Sequence, residues 1–428
     1  MKLIRRTTSF AGLIGLSLIS FACVQTSPEG EDDVAGSEPG AGTQPQPVLV
    51  TSEAVDPPAA VGSLAPNLNV VGEEIVLTWL QPVAGEDSAT MHEFVMSRLQ
   101  HRRWSDPVTI AEGSDFFANW ADTPNLIATS SGSLYAHWLQ KTAADTYAYS
   151  IRISRSRDSG STWQPIGWLN QDQTATELGF VSYVPEAEGI RAFWLDGRAM
   201  TTGGAMALRT ALVSDQVTSS EILDDRVCEC CSLDSTLTDH GPVVVFRDRS
   251  EDEIRDIGLV RRDADGWSDT VHIHQDEWTI PGCPVNGPVV DALGSDVIVA
   301  WFTGAQDRPR VQVAFSADGG VEFGDPTMID SGQTLGRVDT VLLAPERALV
   351  SWMAVAGDRA QILLRRVDRK GGIAPAAIIT TTSPSRSSGV PRIAQVGGKI
   401  YVTWVDTNTD SGSRVRVREV ELAVLPEI

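Results

Sequence analysis

Pro288-Val-Val-Asp291, Val297-Ile-Val-Ala-Trp301, Arg310-Val-Gln-Val-Ala-Phe315 and Pro326-Thr-Met-Ile329 follow one another with only polar, Gly-, Asp- or Pro-containing segments between them. Short runs rich in Val and Ile, punctuated in this way, are strands and turns. The stretch therefore reads as four consecutive strands, the second ending on Trp301.

That second strand recurs along the chain. Ile75-Val-Leu-Thr-Trp79, Leu134-Tyr-Ala-His-Trp138, Arg191-Ala-Phe-Trp194, Val243-Val-Val-Phe246, Ala348-Leu-Val-Ser-Trp352 and Tyr401-Val-Thr-Trp404 share its apolar run and terminal aromatic. Neighbouring aromatics are about 51 to 59 residues apart, the period of four-stranded propeller blades. The expected fold is all-β, a seven-bladed β-propeller; six blades plus a stray strand pair is the alternative. The aromatics are expected to fill the space between adjacent sheets. The last repeat runs through 390–393, 400–405 and 414–422 and lacks a good fourth strand. Val48-Leu-Val-Thr-Ser52 is expected to supply it and close the ring.

The amino-terminal segment reads differently. Lys2, Arg5 and Arg6 precede an apolar run from Phe10 to Ala22, which is a secretory signal pattern over residues 1–22 and too short for a comfortable span. Ala22-Cys23 resembles a bacterial lipobox, with Cys23 as the lipidated residue; simple cleavage with Cys23 left free is the alternative. Residues 23–47 are Gly-, Pro-, Ser- and acid-rich and cannot bury enough surface to order themselves, so they form a tether for the propeller of residues 48–428. More than one acyl chain would anchor such a lipoprotein stably. The formal charge of −22 argues against nucleic acid and anionic lipid as partners. The expected location is the bacterial cell envelope, lipid-anchored, with the propeller a monomer.

Two repeats carry one eight-residue signature. Ser156-Arg-Asp158-Ser-Gly160-Ser-Thr-Trp163 and Ser316-Ala-Asp318-Gly-Gly320-Val-Glu-Phe323 share Ser-x-Asp-x-Gly-x-x-aromatic. Asp accepts bonds from turn amides, Gly supplies a positive φ, and the aromatic pins the hairpin. The signature resembles the Asp-box, or BNR repeat, of sialidases and related propellers. The resemblance implies that these boxes are structural and lie on the turn between the third and fourth strands, away from the ligand. For the enzymes of that family it implies an arginine triad gripping a carboxylate, a Tyr nucleophile primed by Glu, an Asp acid/base and an early Arg-Ile-Pro motif. The nearest string here is Pro391-Arg392-Ile393, late and in another order, and Tyr183 is the tyrosine candidate. The catalytic set does not carry over, so no catalytic residue is assigned.

Loops between the second and third strands, and between blades, share one face of a propeller. There the sequence places Arg198, Arg247, Asp248, Arg249, Arg337 and Arg392, read as contacts for a carbohydrate or other anionic ligand over the channel, with Trp120, Asp122 and Glu177 in the same loop set. The enzyme alternative is an exo-sialidase or related glycosidase. Cys228-Glu-Cys230-Cys231 and Cys283 precede inner strands of successive blades and are expected to converge. Disulfides are one reading, with Cys231–Cys283 clipping the blades and Cys228–Cys230 closing a small loop. A tetrahedral Cu or Zn site is the other; no other cofactor is implied.

Overall fold

The computed structural model describes residues 45–83, 91–171, 174–407 and 412–428. The expected signal, Cys23 and nearly all of the expected tether lie outside them. Among the described residues no helix is long and apolar enough to cross a membrane.

Seven antiparallel sheets succeed one another along the chain. Blade one begins at Leu64–Val71, two at Asn125–Ala128, three at Leu178–Glu186, four at Asp234–Thr238, five at Val289–Leu293, six at Thr334–Ala344 and seven at Arg392–Val396. These inner strands surround the central channel. The second strands carry the repeating aromatics, all buried: Trp79, Trp194, Trp301, Trp352 and Phe246 are at most 1% exposed. Each fills a seam between sheets; Trp352 of blade six, for example, packs among Ile298, Val311 and Val313 of blade five. A buried indole N–H must still find an acceptor. Trp79 donates to Gln81 at 2.7 Å, Trp194 to Asp196 at 3.0 Å, Trp301 to Asp276 at 2.8 Å and Trp352 to Asp330 at 2.7 Å.

The ring is also tied at its hub. Asn67 donates to the Pro124 carbonyl at 2.8 Å, joining blades one and two. Asp234 accepts the Val290 amide at 3.0 Å, Asp291 the Leu342 amide at 2.7 Å and Asp339 the Ile393 amide at 2.8 Å, linking blades four through seven in sequence. Each acid caps an inner-strand N–H of the next blade that no strand partner satisfies. Burial pushes Asp291 and Asp339 up to about 6 and raises Asp234 as well.

Closure departs in detail from the expectation for Val48–Ser52. Val48–Leu49 adds in parallel to Ala377–Ile378 on the outer edge of blade six, and Glu53–Ala54 pairs antiparallel with Arg418–Glu419 of blade seven. Between them Val50 packs into the apolar seam of these two blades. The fourth strand of blade seven is thus Glu53–Ala54, because the segment must first cover the exposed edge of its neighbour.

The two eight-residue turns connect third to fourth strands, in blades two and five. Ser156 accepts the Gly160 amide at 2.8 Å and donates to Asp158 at 2.8 Å; Ser316 does the same with Gly320 at 3.0 Å and Asp318 at 2.6 Å. Gly160 and Gly320 have φ of 89° and 85°, which a side chain would strain.

Candidate functional site

The loops that run from one blade to the next enclose a cavity of about 390 Å³ on the face opposite those turns. Asn119 shapes its first wall: its Oδ1 accepts the Ala121 and Asp122 amides at 2.9 and 2.8 Å, bending the chain so that Trp120 and Asp122 face different ways. Asp122 turns inward and accepts the Phe180 amide at 2.8 Å. Phe180 sits at a bulge in the inner strand of blade three with φ of 53°, an unusual conformation for a bulky residue. Arg337 repeats this device in blade six, with φ of 54° and its amide donated to Asn286 at 2.7 Å. Such bulges re-aim the backbone where the inner strands meet the ligand face.

Asp122, Tyr149 and Glu177 form a chain of hydrogen bonds. The Tyr149 hydroxyl is 3.1 Å from Asp122 Oδ2 and 2.9 Å from Glu177 Oε1. Burial pushes Asp122 up to about 8, with the nearby Glu177 charge adding to the effect and the bonds from the Phe180 amide and Tyr149 opposing it. The Tyr149 hydroxyl is shared between the two carboxyl groups, donating to Asp122 Oδ2 and to Glu177 Oε1. Glu177 is itself raised by burial and by the charge of Glu229, although its bond from Tyr149 opposes this. Tyr149 is held by Phe117, stacked on it with centroids 4.0 Å apart. Gly179 must lack a side chain, since a Cβ there would meet Asp122 Oδ2 at 1.9 Å.

Around this relay stand groups suited to a ligand. Tyr147 is 61% exposed and edge-on to Phe117. Trp120 lies under the exposed Arg386 guanidinium at 5.9 Å and the buried Arg337 guanidinium at 5.2 Å. Arg337 donates to the Ser385 and Gly389 carbonyls at 3.0 and 3.1 Å, and burial together with Arg386 lowers it to about 10.

The sequence-expected residues are spread over several settings. Trp120, Asp122 and Glu177 line the cavity, as do Cys230 and Cys283. Arg337 supports it by packing on the Trp120 ring. Arg392 instead lines a smaller channel cavity of about 170 Å³ with Asp234 and Asp339. Arg247 is 1% exposed, and its three donor nitrogens reach the carbonyls of Asn286, Arg255 and Phe302 at 2.9, 2.6 and 2.6 Å. It braces blades four and five from within and presents no donor to the cavity. Arg249 pairs with Glu229 and Glu253, Asp248 with His272 at 2.8 Å, and Arg198 with Asp196 at 2.6 Å. Tyr183 is buried with its hydroxyl unpartnered and edge-on to His137, remote in character from a nucleophile. Sequence reasoning missed Tyr149, Tyr147 and Arg386.

The cysteines do converge, with a different pairing from that expected. The disulfide joins Cys230 to Cys283, with Cα atoms 5.9 Å apart, while Cys228 and Cys231 are free and buried. The buried Cys231 sulfur accepts the Asn286 amide instead of bonding to Cys283. Burial raises the Cys228 thiol, yet bonds from the Cys231 thiol and Cys230 amide and the charges of Arg247 and Arg255 outweigh it and bring it to about 7. The Cys228, Cys230 and Cys231 sulfurs lie within 4.8 Å of one another, close enough to hold a metal. With Cys230 oxidised, however, only two thiols of the four remain as ligands, and this set does not fit a four-sulfur tetrahedral ion.

No family model matches the chain, and the curated proteins contain no match. Solved structures do resemble it. An ulvan lyase, a polysaccharide lyase bound to a saccharide of glucuronate and sulfated rhamnose, aligns over 86% of this chain and 96% of its own at 10% identity, with a TM-score of 0.55. The α-L-arabinanase of Penicillium chrysogenum, complexed with arabinobiose, aligns over 89% of this chain and 100% of its own at 13% identity, with a TM-score of 0.48. A Hadza microbial sialidase covers 71% of this chain and 66% of its own at 12% identity, with a TM-score of 0.44. At such identities the likeness to the ulvan lyase is one of fold alone.

Proposed function

We propose that the protein binds an anionic saccharide in the cavity over the channel, and that the propeller is held at the bacterial cell envelope by a lipid on Cys23 and the acidic tether. The observation that carries the reading is the set of groups meeting there. The exposed ring of Tyr147 and the half-buried ring of Trp120 suit the C–H faces of a sugar, and carboxylates at Glu177 and Glu229 suit its hydroxyls. Arg386 makes no ion pair among the described residues and is the natural partner for a uronate or sulfate. The Asp-box-like turns and the saccharide-bound ulvan lyase of similar fold agree with this reading, and the high negative charge opposes nucleic acid as a ligand on Coulombic grounds. Binding of uronate-containing oligosaccharides, followed by calorimetry, tests it. Arg386→Ala or Tyr147→Ala should weaken binding about tenfold, equivalent to about 1.4 kcal/mol. Equal affinity in both variants would count against the cavity.

The Asp122–Tyr149–Glu177 relay favours a second, catalytic reading in which Glu177 acts as acid/base on a glycosidic linkage. Glu177→Gln should then lower turnover on the order of 100-fold while the saccharide still binds. Absence of cleavage by the unmodified protein across sialosides and uronate polymers would leave binding alone.

A further inference from the structure

The disulfide forms part of the cavity wall, with Cys283 exposed and Cys230 half-buried. Directly behind it, Cys228 Sγ lies 3.9 Å from Cys230 Sγ. Arg255 Nη1 donates to Cys228 Sγ at 3.2 Å and to Glu229 at 3.0 Å, while its Nη2 is held by Glu253 at 2.8 Å. A fixed guanidinium on a sulfur favours the thiolate, which is the attacking form in disulfide exchange. Cys231 hydrogen-bonds to the same sulfur. Two buried guanidinium groups, Arg247 and Arg255, flank the cluster. They suit an anionic sulfur and oppose a bound cation.

We propose that the four cysteines form a thiol–disulfide exchange centre that delivers a reactive thiol at Cys283 to a small disulfide in solution. The Cys228 thiolate attacks Cys230 Sγ; the Cys228–Cys230 bond forms as the Cys230–Cys283 bond breaks. The electron pair leaves on Cys283 Sγ, where water stabilises the charge and supplies a proton. Only one residue separates Cys228 from Cys230, whereas Cys228 and Cys231 have the two-residue spacing of redox-active pairs. Cys231 therefore attacks Cys228 in turn: the Cys228–Cys231 bond forms as the Cys228–Cys230 bond breaks, and the Cys231 proton passes to the departing Cys230 sulfur, which is released as a thiol. One disulfide is consumed and one formed, so neither oxidant nor reductant is needed. Cys283 then exchanges with an external disulfide, forming a mixed disulfide and releasing one equivalent of thiol.

The test uses the full chain purified without reductant, oxidised glutathione as the probe, and peptide mapping by mass spectrometry. Glutathione is expected on Cys283, with Cys228 linked to Cys231. Cys228→Ser should lower capture at least tenfold, and Cys231→Ser should trap the Cys228–Cys230 linkage. If Cys228→Ser does not fold, the Cys231→Ser protein decides alone: absence of the Cys228–Cys230 linkage overturns the proposal. So does an intact Cys230–Cys283 bond with no capture after prolonged incubation, or capture that is unchanged in Cys228→Ser. One equivalent of bound copper or zinc with all four cysteines reduced would also overturn it, in favour of a metal site.

Discussion

Arg247 shows how far a side chain can depart from what its position suggests. It follows the aromatic of blade four, at the point where the chain reaches the ligand face, and its charge argued for an anion. Its guanidinium instead satisfies three backbone carbonyls and stacks over Trp278 at 4.9 Å. Removing it would leave those carbonyls buried and unpaired. Arg247→Met should cost about 3 kcal/mol of stability, measured by denaturant unfolding, and leave saccharide affinity nearly unchanged in the folded fraction. Trp120, Asp122 and Glu177 were legible because loop position in a repeat sets their face. Tyr149 was not, because it begins a third strand and carries the signal of any core aromatic; only the approach of two carboxyls to its hydroxyl distinguishes it.

At the scale of the element, the aromatic-ended second strand and the eight-residue turn were both readable, since each depends on residues close in sequence. Strand pairing between distant segments was less so: local composition marks Val48–Leu49 as a strand but does not say that it joins blade six and not blade seven. The cysteine pairing failed for the same reason: spacing brought the sulfurs together but could not say which of them bonds to Cys283. The turns yield a prediction of their own. Ser316 is 2% exposed and holds the buried Gly320 amide. Ser316→Ala should destabilise the protein by about 1–2 kcal/mol without altering ligand affinity, because the turn lies at the far face. A change in affinity as large as that in Arg386→Ala would contradict this separation of faces.

For the whole molecule, the hub carboxyls set an unusual pH dependence. Asp291 and Asp339 are raised to about 6, and Asp122 to about 8, all by burial. In the unfolded chain each titrates near the ordinary value of about 4. The fold therefore binds more protons than the unfolded chain between these limits, and stability falls as pH rises through the folded values. Asp158 and Glu253, depressed to about 2 by hydrogen bonds from Thr162 and from Arg249 respectively, act in the opposite sense at acid pH, and His137, lowered to about 3 by burial, does so up to its ordinary value of about 6.5. The melting temperature should accordingly be higher at pH 5 than at pH 8. Asp291→Asn should flatten the part of that slope between pH 4 and 6; an unaltered slope would show that the hub acids are not its source.

Residues 48–54 also decide how the propeller responds to being pulled. The same few residues pair with blade six and then with blade seven, so a force applied upstream of Pro45 reaches the ring through two ladders of two residues each. Tension would peel Val48–Leu49 before it touched any complete sheet. The next pair to part would be Glu53–Ala54 from blade seven, at the junction with blade one. The segment that fastens the circle is thus also its ripcord, and a chain stretched from its amino-terminal side should open at that seam while the interior of every blade stays folded.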